Sequence, residues 1–199
     1  MSLNFANNNS LSAITTKPSG LSSSAMNLIS TQTASSSANI SFTSGIDSTY
    51  KEYVFKFINV HPAATSYFQV NFRDGSTAYD ATKTSAGFYA QNKEDDSETN
   101  FAYAAGVAQS TGIQRLITGE VNHSNADDNF NGTLRLFDPS STTFVKHYLS
   151  EINYSNNGPA SEVSYIAGYC NTTAAIDGVQ FTMSSGNIDS GVIKLYGIS

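Results

Sequence analysis

Asp127-x-Asn129-x-Asn131-Gly132, with Asp138 at the twelfth position, is the stretch of this chain whose residue types come nearest to a known chemistry. Hard oxygen donors spaced around a sharp glycine turn are what a calcium loop requires. Two features argue against that use. The last ligand is Asp rather than the longer Glu, and Thr133-Leu134-Arg135-Leu136-Phe137 alternates as a strand. Five extended residues span about 16 Å and would carry Asp138 away from Asp127. The residues fit a polar loop entering a strand better than a calcium site. The acidic run Glu94, Asp95, Asp96 and Glu98 follows Lys93 and reads as a solvated loop. His61, His123 and His147 have no metal-ligand spacing.

Cys170 is the single cysteine, so neither an intramolecular disulfide nor a cysteine-based zinc site can form. It falls in Tyr165-Ile166-Ala167-Gly168-Tyr169-Cys170, an apolar run that predicts a buried thiol acting as a small hydrophobe. The chain contains no Gly-x-Ser-x-Gly elbow, no His-Glu-x-x-His and no phosphate-cradling glycine loop. The 16 Asp and Glu leave room for a glycosidase-type carboxylate pair, but the chain has no Trp to line a sugar groove. The reading is therefore a non-enzymatic protein with no cofactor and no metal.

The elements that would hold any site are strands. Val179, Phe181 and Met183 alternate with Gln180 and Thr182, the period-two signature of a half-buried strand. A Ser/Gly/Asn turn follows, and a last strand runs over Gly191–Ile198. Other strands are expected at Met26–Thr33, Asn39–Thr43, Tyr50–Val60, Phe68–Phe72, Ile113–Thr118, Gly132–Phe137, Phe144–Tyr154 and Glu162–Tyr169. Tyr50–Val60 carries apolar residues on both faces, which predicts a central strand covered on both sides. Residues 74–111 read as a long excursion with short strands near Ala86–Gln91 and Asn100–Ala105. No segment holds a 3.6-residue period over three turns, and nothing repeats at a fixed spacing. The expected fold is all-β: a jelly-roll-like antiparallel β-sandwich over residues 26–199 with an extended N-terminal arm over residues 1–25.

The arm follows from composition. Residues 1–46 hold one charged side chain, Lys17, and the first 25 are mostly Ser, Asn, Thr, Ala and Gly. Leu3, Phe5, Leu11, Ile14 and Leu21 punctuate them without a helical or strand period. Such a segment closes no core of its own and suits an arm lying on another protein.

The 199 residues fit one domain with an extension, and 39% hydrophobic residues can build a core. Only 13% are charged, with a net charge of −6 and 10 scattered Lys and Arg, which disfavours nucleic-acid binding. No stretch approaches the 18–20 or so apolar residues of a membrane helix, and no signal peptide is visible. A protein made and used in solution is expected.

The C-terminal Leu195-Tyr196-Gly197-Ile198 resembles the closing run of jelly-roll virion proteins from tailed bacteriophages. Gly45–Phe57, with Tyr50 and Tyr53 leading into an apolar strand, is similar to a strand start in that group. His61-Pro62-Ala63 and Arg73-Asp74-Gly75-Ser76 fall where such proteins turn. The resemblance covers residues 26–199 and rests on structural motifs. It implies a virion structural protein assembled in the host cytoplasm, either a head decoration or head fibre, slightly favoured, or a tail component. It also implies docking to capsid or tail proteins, with Leu3, Phe5, Leu11, Ile14 and Leu21 as the docking residues, and a homotrimer. Sparse charge over Thr99–Glu120 points to a subunit interface at Phe101, Tyr103, Ile113 and Ile117. The rival reading is a receptor- or carbohydrate-binding module of a tail fibre, with Tyr79 and Tyr89 of the excursion touching a cell-surface glycan.

Overall fold

The computed structural model describes residues 25–105 and 109–199. The five apolar residues of the expected arm lie outside the described residues. Twelve strands form: β1 (Met26–Ser37), β2 (Ile40–Phe42), β3 (Glu52–Pro62), β4 (Phe68–Arg73), β5 (Lys83–Lys93), β6 (Thr99–Tyr103), β7 (Gln114–Arg115), β8 (Phe130–Phe137), β9 (Lys146–Asn156), β10 (Ala160–Cys170), β11 (Gly178–Met183) and β12 (Ile188–Ile198). The described residues contain no helix. All pairings are antiparallel.

The strands build two sheets, an eight-stranded one in the order β1-β12-β3-β8-β9-β10-β5-β6 and a four-stranded one in the order β2-β11-β4-β7. Successive strands from β1 to β4 alternate between the sheets, as do β11 and β12. The sheets pack face to face as a sandwich through phenylalanine. Phe55 and Phe57 of β3 meet Phe181 of β11 with ring centroids 5.3 and 5.1 Å apart. Phe57 meets Phe68 of β4 at 5.0 Å, and Phe42 of β2 meets Phe55 at 5.2 Å. These pairs are edge-on, the arrangement that the ring quadrupole favours. Period-two alternation puts these rings on one face of each strand, and burial of that face is the main force joining the layers.

Most expected strands appear at their places, including the two in the excursion, which form the β5–β6 hairpin at one end of the large sheet. The turn of this hairpin is the acidic run. Lys93 pairs with Glu98 at 2.7 Å, and the Asp95 carboxylate accepts the Ser97 N–H at 3.0 Å.

Two expectations are corrected. Ile113–Thr118 is a strand only over Gln114–Arg115: the Leu116 N–H still bonds to the Phe68 carbonyl at 2.9 Å, but the Leu116 and Ile117 side chains enter the core and Thr118 turns its N–H to the Ser164 hydroxyl at 3.0 Å. β3 is central, but one layer covers it. Tyr53, Phe55 and Phe57 are buried between the sheets, whereas Ile58 on the opposite face is exposed. Val54 stays buried on that outer face between its register neighbours Tyr196 and Arg135, whose long side chains can shield it.

Candidate functional site: an aromatic outer sheet face

Strand register fixes which side chains share the outer face of the large sheet. Alternate residues of β9 are buried, leaving His147, Leu149, Glu151 and Asn153 outside. The ladder pairs Glu151 with Tyr165, Tyr165 with Phe88, and Phe88 with Tyr103. In the other direction it pairs Glu151 with Thr133, Thr133 with Lys56, and Lys56 with Lys194. One row of neighbours thus crosses the sheet, from two lysines through a carboxylate to three aromatic rings. The adjacent row, Arg135, Leu149, Ala167 and Ala86, is low where the residues are small.

The contrast in side-chain height makes a groove of about 530 Å³. Ala86, Leu149 and Ala167 lie low in it, Phe88, Tyr103 and Tyr165 flank it, and Arg135 and Glu151 are its charges. The Phe88 and Tyr165 rings stack at 5.1 Å with 24° between planes, and Phe101 lies 5.4 Å from Phe88. Phe101 is 64% and Tyr103 84% exposed. The Tyr165 hydroxyl donates to Glu151 Oε1 at 3.2 Å, and that bond holds the phenol above its ordinary range. Arg135 donates to Glu52 Oε1 at 2.6 Å. Isolated apolar side chains on a surface are ordinary, but a contiguous aromatic cluster marks a contact surface. The groove offers stacking area, one carboxylate and one guanidinium.

A second constellation lies inside, at the β10 end of the sandwich. Glu162 is 1% exposed and, among the described residues, forms no ion pair. Its carboxylate accepts from the Tyr154 hydroxyl, the Asn156 amide and the Thr118 hydroxyl, the last at 2.5 Å. The Tyr154 oxygen in turn accepts the Gly119 N–H at 2.7 Å. Burial first, and the bond to Glu162 second, push the Tyr154 phenol well above its usual value. This network ties the 118–119 loop to the sheet. Glu162 sits on the same strand parity as Ser164 and Ile166, and a carboxylate on a core parity is the sequence signal that finds it.

Three further buried groups lie side by side, since Cys170 is in register with both Lys83 and Lys146. Desolvation pushes the Cys170 thiol up to about 12, so it is an inert packed thiol, as the apolar run predicts. Lys83 bonds to the Asn71 side chain and to the Ala81 carbonyl at 3.1 Å, and burial brings it from 10.5 down to about 8. Lys83 is protonated in both states below pH 8. Between pH 8 and 10.5 the unfolded chain holds a proton that the folded one has released, so its contribution rises with pH and is lost as pH falls through 8. The stability of the wild type relative to Lys83→Met should therefore increase from pH 7.5 to 9.5 in urea titrations. A flat difference contradicts this.

The calcium-like stretch enters a strand, expected from Gly132 and observed from Phe130. Asn131 donates to Asn129 at 2.7 Å and accepts the Asn59 N–H at 2.8 Å, while Asp138 pairs with Lys51 at 2.9 Å. Among the described residues no group of three or more His, Cys, Asp and Glu is arranged to hold a metal. A ligand at a hundred times its Kd stabilises by about 2.7 kcal/mol. Millimolar calcium should leave the melting temperature unchanged, and a rise of several degrees abolished by Asp127→Ala would contradict this reading.

The structure divides the expected contact residues. Phe101 and Tyr103 sit together on the outer face. Ile113 is exposed but leads into β7 of the small sheet. Ile117 is 0% exposed and belongs to the core, so it is withdrawn as a surface contact: an apolar chain in that loop is drawn inward. Tyr79 and Tyr89 are not brought together. The Tyr79 hydroxyl is buried without a hydrogen-bond partner, and its ring lies 6.0 Å from the Arg73 guanidinium. Tyr89 falls on the opposite strand parity from Phe88 and bonds to Asn100 at 3.1 Å. Sequence reasoning missed Phe88 and Tyr165, whose proximity depends on pairing between β5 and β10.

Fold and face together define a β-sandwich with an exposed aromatic cluster on the outer face of its large sheet. Comparison with protein-family models and with curated proteins gives no match.

Proposed function

We propose that this chain is a non-enzymatic structural protein of a bacteriophage particle, assembling as a homotrimer through its outer aromatic face and docking to capsid or tail proteins through its N-terminal residues. The observation that carries this reading is strand order. The set β1-β12-β3-β8 facing β2-β11-β4-β7 is the order produced when an eight-stranded chain winds back and forth between two sheets, as in a jelly roll. β9, β10, β5 and β6 are then additions that widen one sheet and present the aromatic cluster. Capsid proteins use this architecture, and the C-terminal and turn motifs resemble those of phage virion proteins. A head decoration or fibre is favoured over a tail component.

If the reading holds, density-gradient-purified particles encoded with this chain contain it in many copies per particle; particles lacking it contradict the reading. Phe101→Asp/Tyr103→Asp should weaken self-association at least about tenfold, as expected of central aromatic contacts. The melting temperature should stay within a few degrees, because both side chains are exposed. Sedimentation equilibrium reads the first effect and calorimetry the second.

The groove favours one other reading, a carbohydrate-binding module. Stacked rings beside the Glu151 carboxylate suit a pyranose, with its apolar face on Phe88 and Tyr165 and its hydroxyls toward Glu151. A glycan array separates the two readings: a saccharide bound at micromolar strength and lost in Tyr165→Ala favours the module.

A further inference from the structure

We infer that the outer edge of β1 over Leu28–Ala34 is a second assembly surface, and that its occupant is β1 of another copy of this chain, paired antiparallel across a twofold axis. This goes beyond the reading above and uses none of the aromatic face.

Among the described residues β1 is the outermost strand of the large sheet, with β12 as its ladder partner. Among the described residues, the outer edge of Leu28–Ala34 receives no backbone hydrogen bond. Such an edge is a row of donors and acceptors ready for another strand, and natural proteins blunt it with shortness, charge or proline. The other three sheet edges are blunted. β2 has three residues, β7 has two including Arg115, and β6 has five and lies beside the Lys93–Glu98 pair. β1 has twelve residues, no charge and no proline; its irregularities are a register shift between Leu28 and Ser30 and a positive φ of 50° at Ser36, which leave Thr31–Ser35 regular.

The same features select the occupant. A twofold contact sets a surface against itself, so any charge on it meets its like. β1 has none to meet. The charged neighbour of its middle is Lys194, in register with Thr31 on the adjacent strand. Across a β1–β1 seam the two Lys194 residues would be three strand spacings apart, roughly 14 Å, which is beyond the Debye length of about 8 Å at physiological salt. Thr31 and Thr33 are exposed and would face each other across the seam, a cross-strand pair that favours sheets. The partner strand would continue the large sheet without a break.

Sedimentation of the full chain at micromolar concentration tests this, with Thr31→Lys/Thr33→Lys as the variant. Both positions are exposed, so the variant should keep its melting temperature while like charges oppose each other in the seam. Wild type should be a dimer, or a hexamer if the aromatic face also closes a trimer. The lysine variant should then be a monomer or a trimer, with the twofold association weakened at least about tenfold. Phe101→Asp/Tyr103→Asp should instead reduce a hexamer to a dimer, so the two contacts fail separately. A lysine variant with wild-type mass, or a wild type present only as monomer or trimer, overturns the proposal. Hydrogen exchange gives a second reading. The amides of Leu28–Ala34 that point away from β12 should be protected in wild type and lose protection in the lysine variant, while those bonded to β12 stay protected in both. Protection that persists in a monomer assigns the edge to the chain's own N-terminal residues and overturns the proposal as well.

Discussion

Phe181→Ala should lower stability by about 4 kcal/mol, a large part of what a domain of this kind possesses. Phe181 is 0% exposed and stands where the layers meet. Its ring contacts Phe55 and Phe57 of the large sheet, and lies 5.5 Å from Phe68 and 6.3 Å from Phe42 within the small one. Truncation to Ala removes the transfer free energy of the ring, opens a cavity walled by aromatic side chains that cannot collapse into it, and forfeits the edge-on ring pairs. Phe181→Leu retains most of the volume and should lose less than half as much. Urea denaturation followed by far-ultraviolet circular dichroism measures both. A Phe181→Ala loss below about 1.5 kcal/mol would mean that the sheets are not held where the rings meet.

Glu162→Leu should cost about 3 kcal/mol, for a different reason. The leucine fills the space, but the Tyr154 hydroxyl, the Thr118 hydroxyl and the Asn156 amide lose their common acceptor inside the protein. Buried donors left unpaired cost about 1–3 kcal/mol each, reduced where a partner remains. The Tyr154 O–H has only the Ser164 hydroxyl, 3.5 Å away, to turn to, and Thr118 keeps Ser164 at 3.0 Å. Glu162→Gln preserves one acceptor and should cost about half as much. Limited proteolysis gives an independent readout: the 118–122 loop should become cleavable in the leucine variant. A leucine variant as stable as wild type would show that the network adds nothing net.

Much of the fold was legible because alternation is a local property. Val179, Phe181 and Met183 announce β11 without reference to any partner, and Phe68, Val70 and Phe72 announce β4. What alternation leaves open is whether the second apolar face of a strand meets a layer. Val54 and Ile58 read as evidence for a covering layer over β3, yet long neighbouring side chains serve for Val54, and Ile58 is left exposed. The candidate site was half legible. Phe101 and Tyr103 stood out because charge is sparse around them. Phe88 and Tyr165 are 77 residues apart in sequence and become neighbours only through the β5–β10 register. Ile117 failed as a contact for a similar reason: its burial depends on the tertiary packing of the segment after β7, and no local pattern encodes it.

The proposal of a particle-bound, self-associating sandwich meets its most direct test in a density map of the intact particle at a resolution that separates sheets. The map should contain the twelve-stranded sandwich in several symmetry-related copies, with Phe88, Phe101, Tyr103 and Tyr165 buried against a neighbouring subunit. A particle without this density, or one in which the aromatic face points into solvent in every copy, would contradict it.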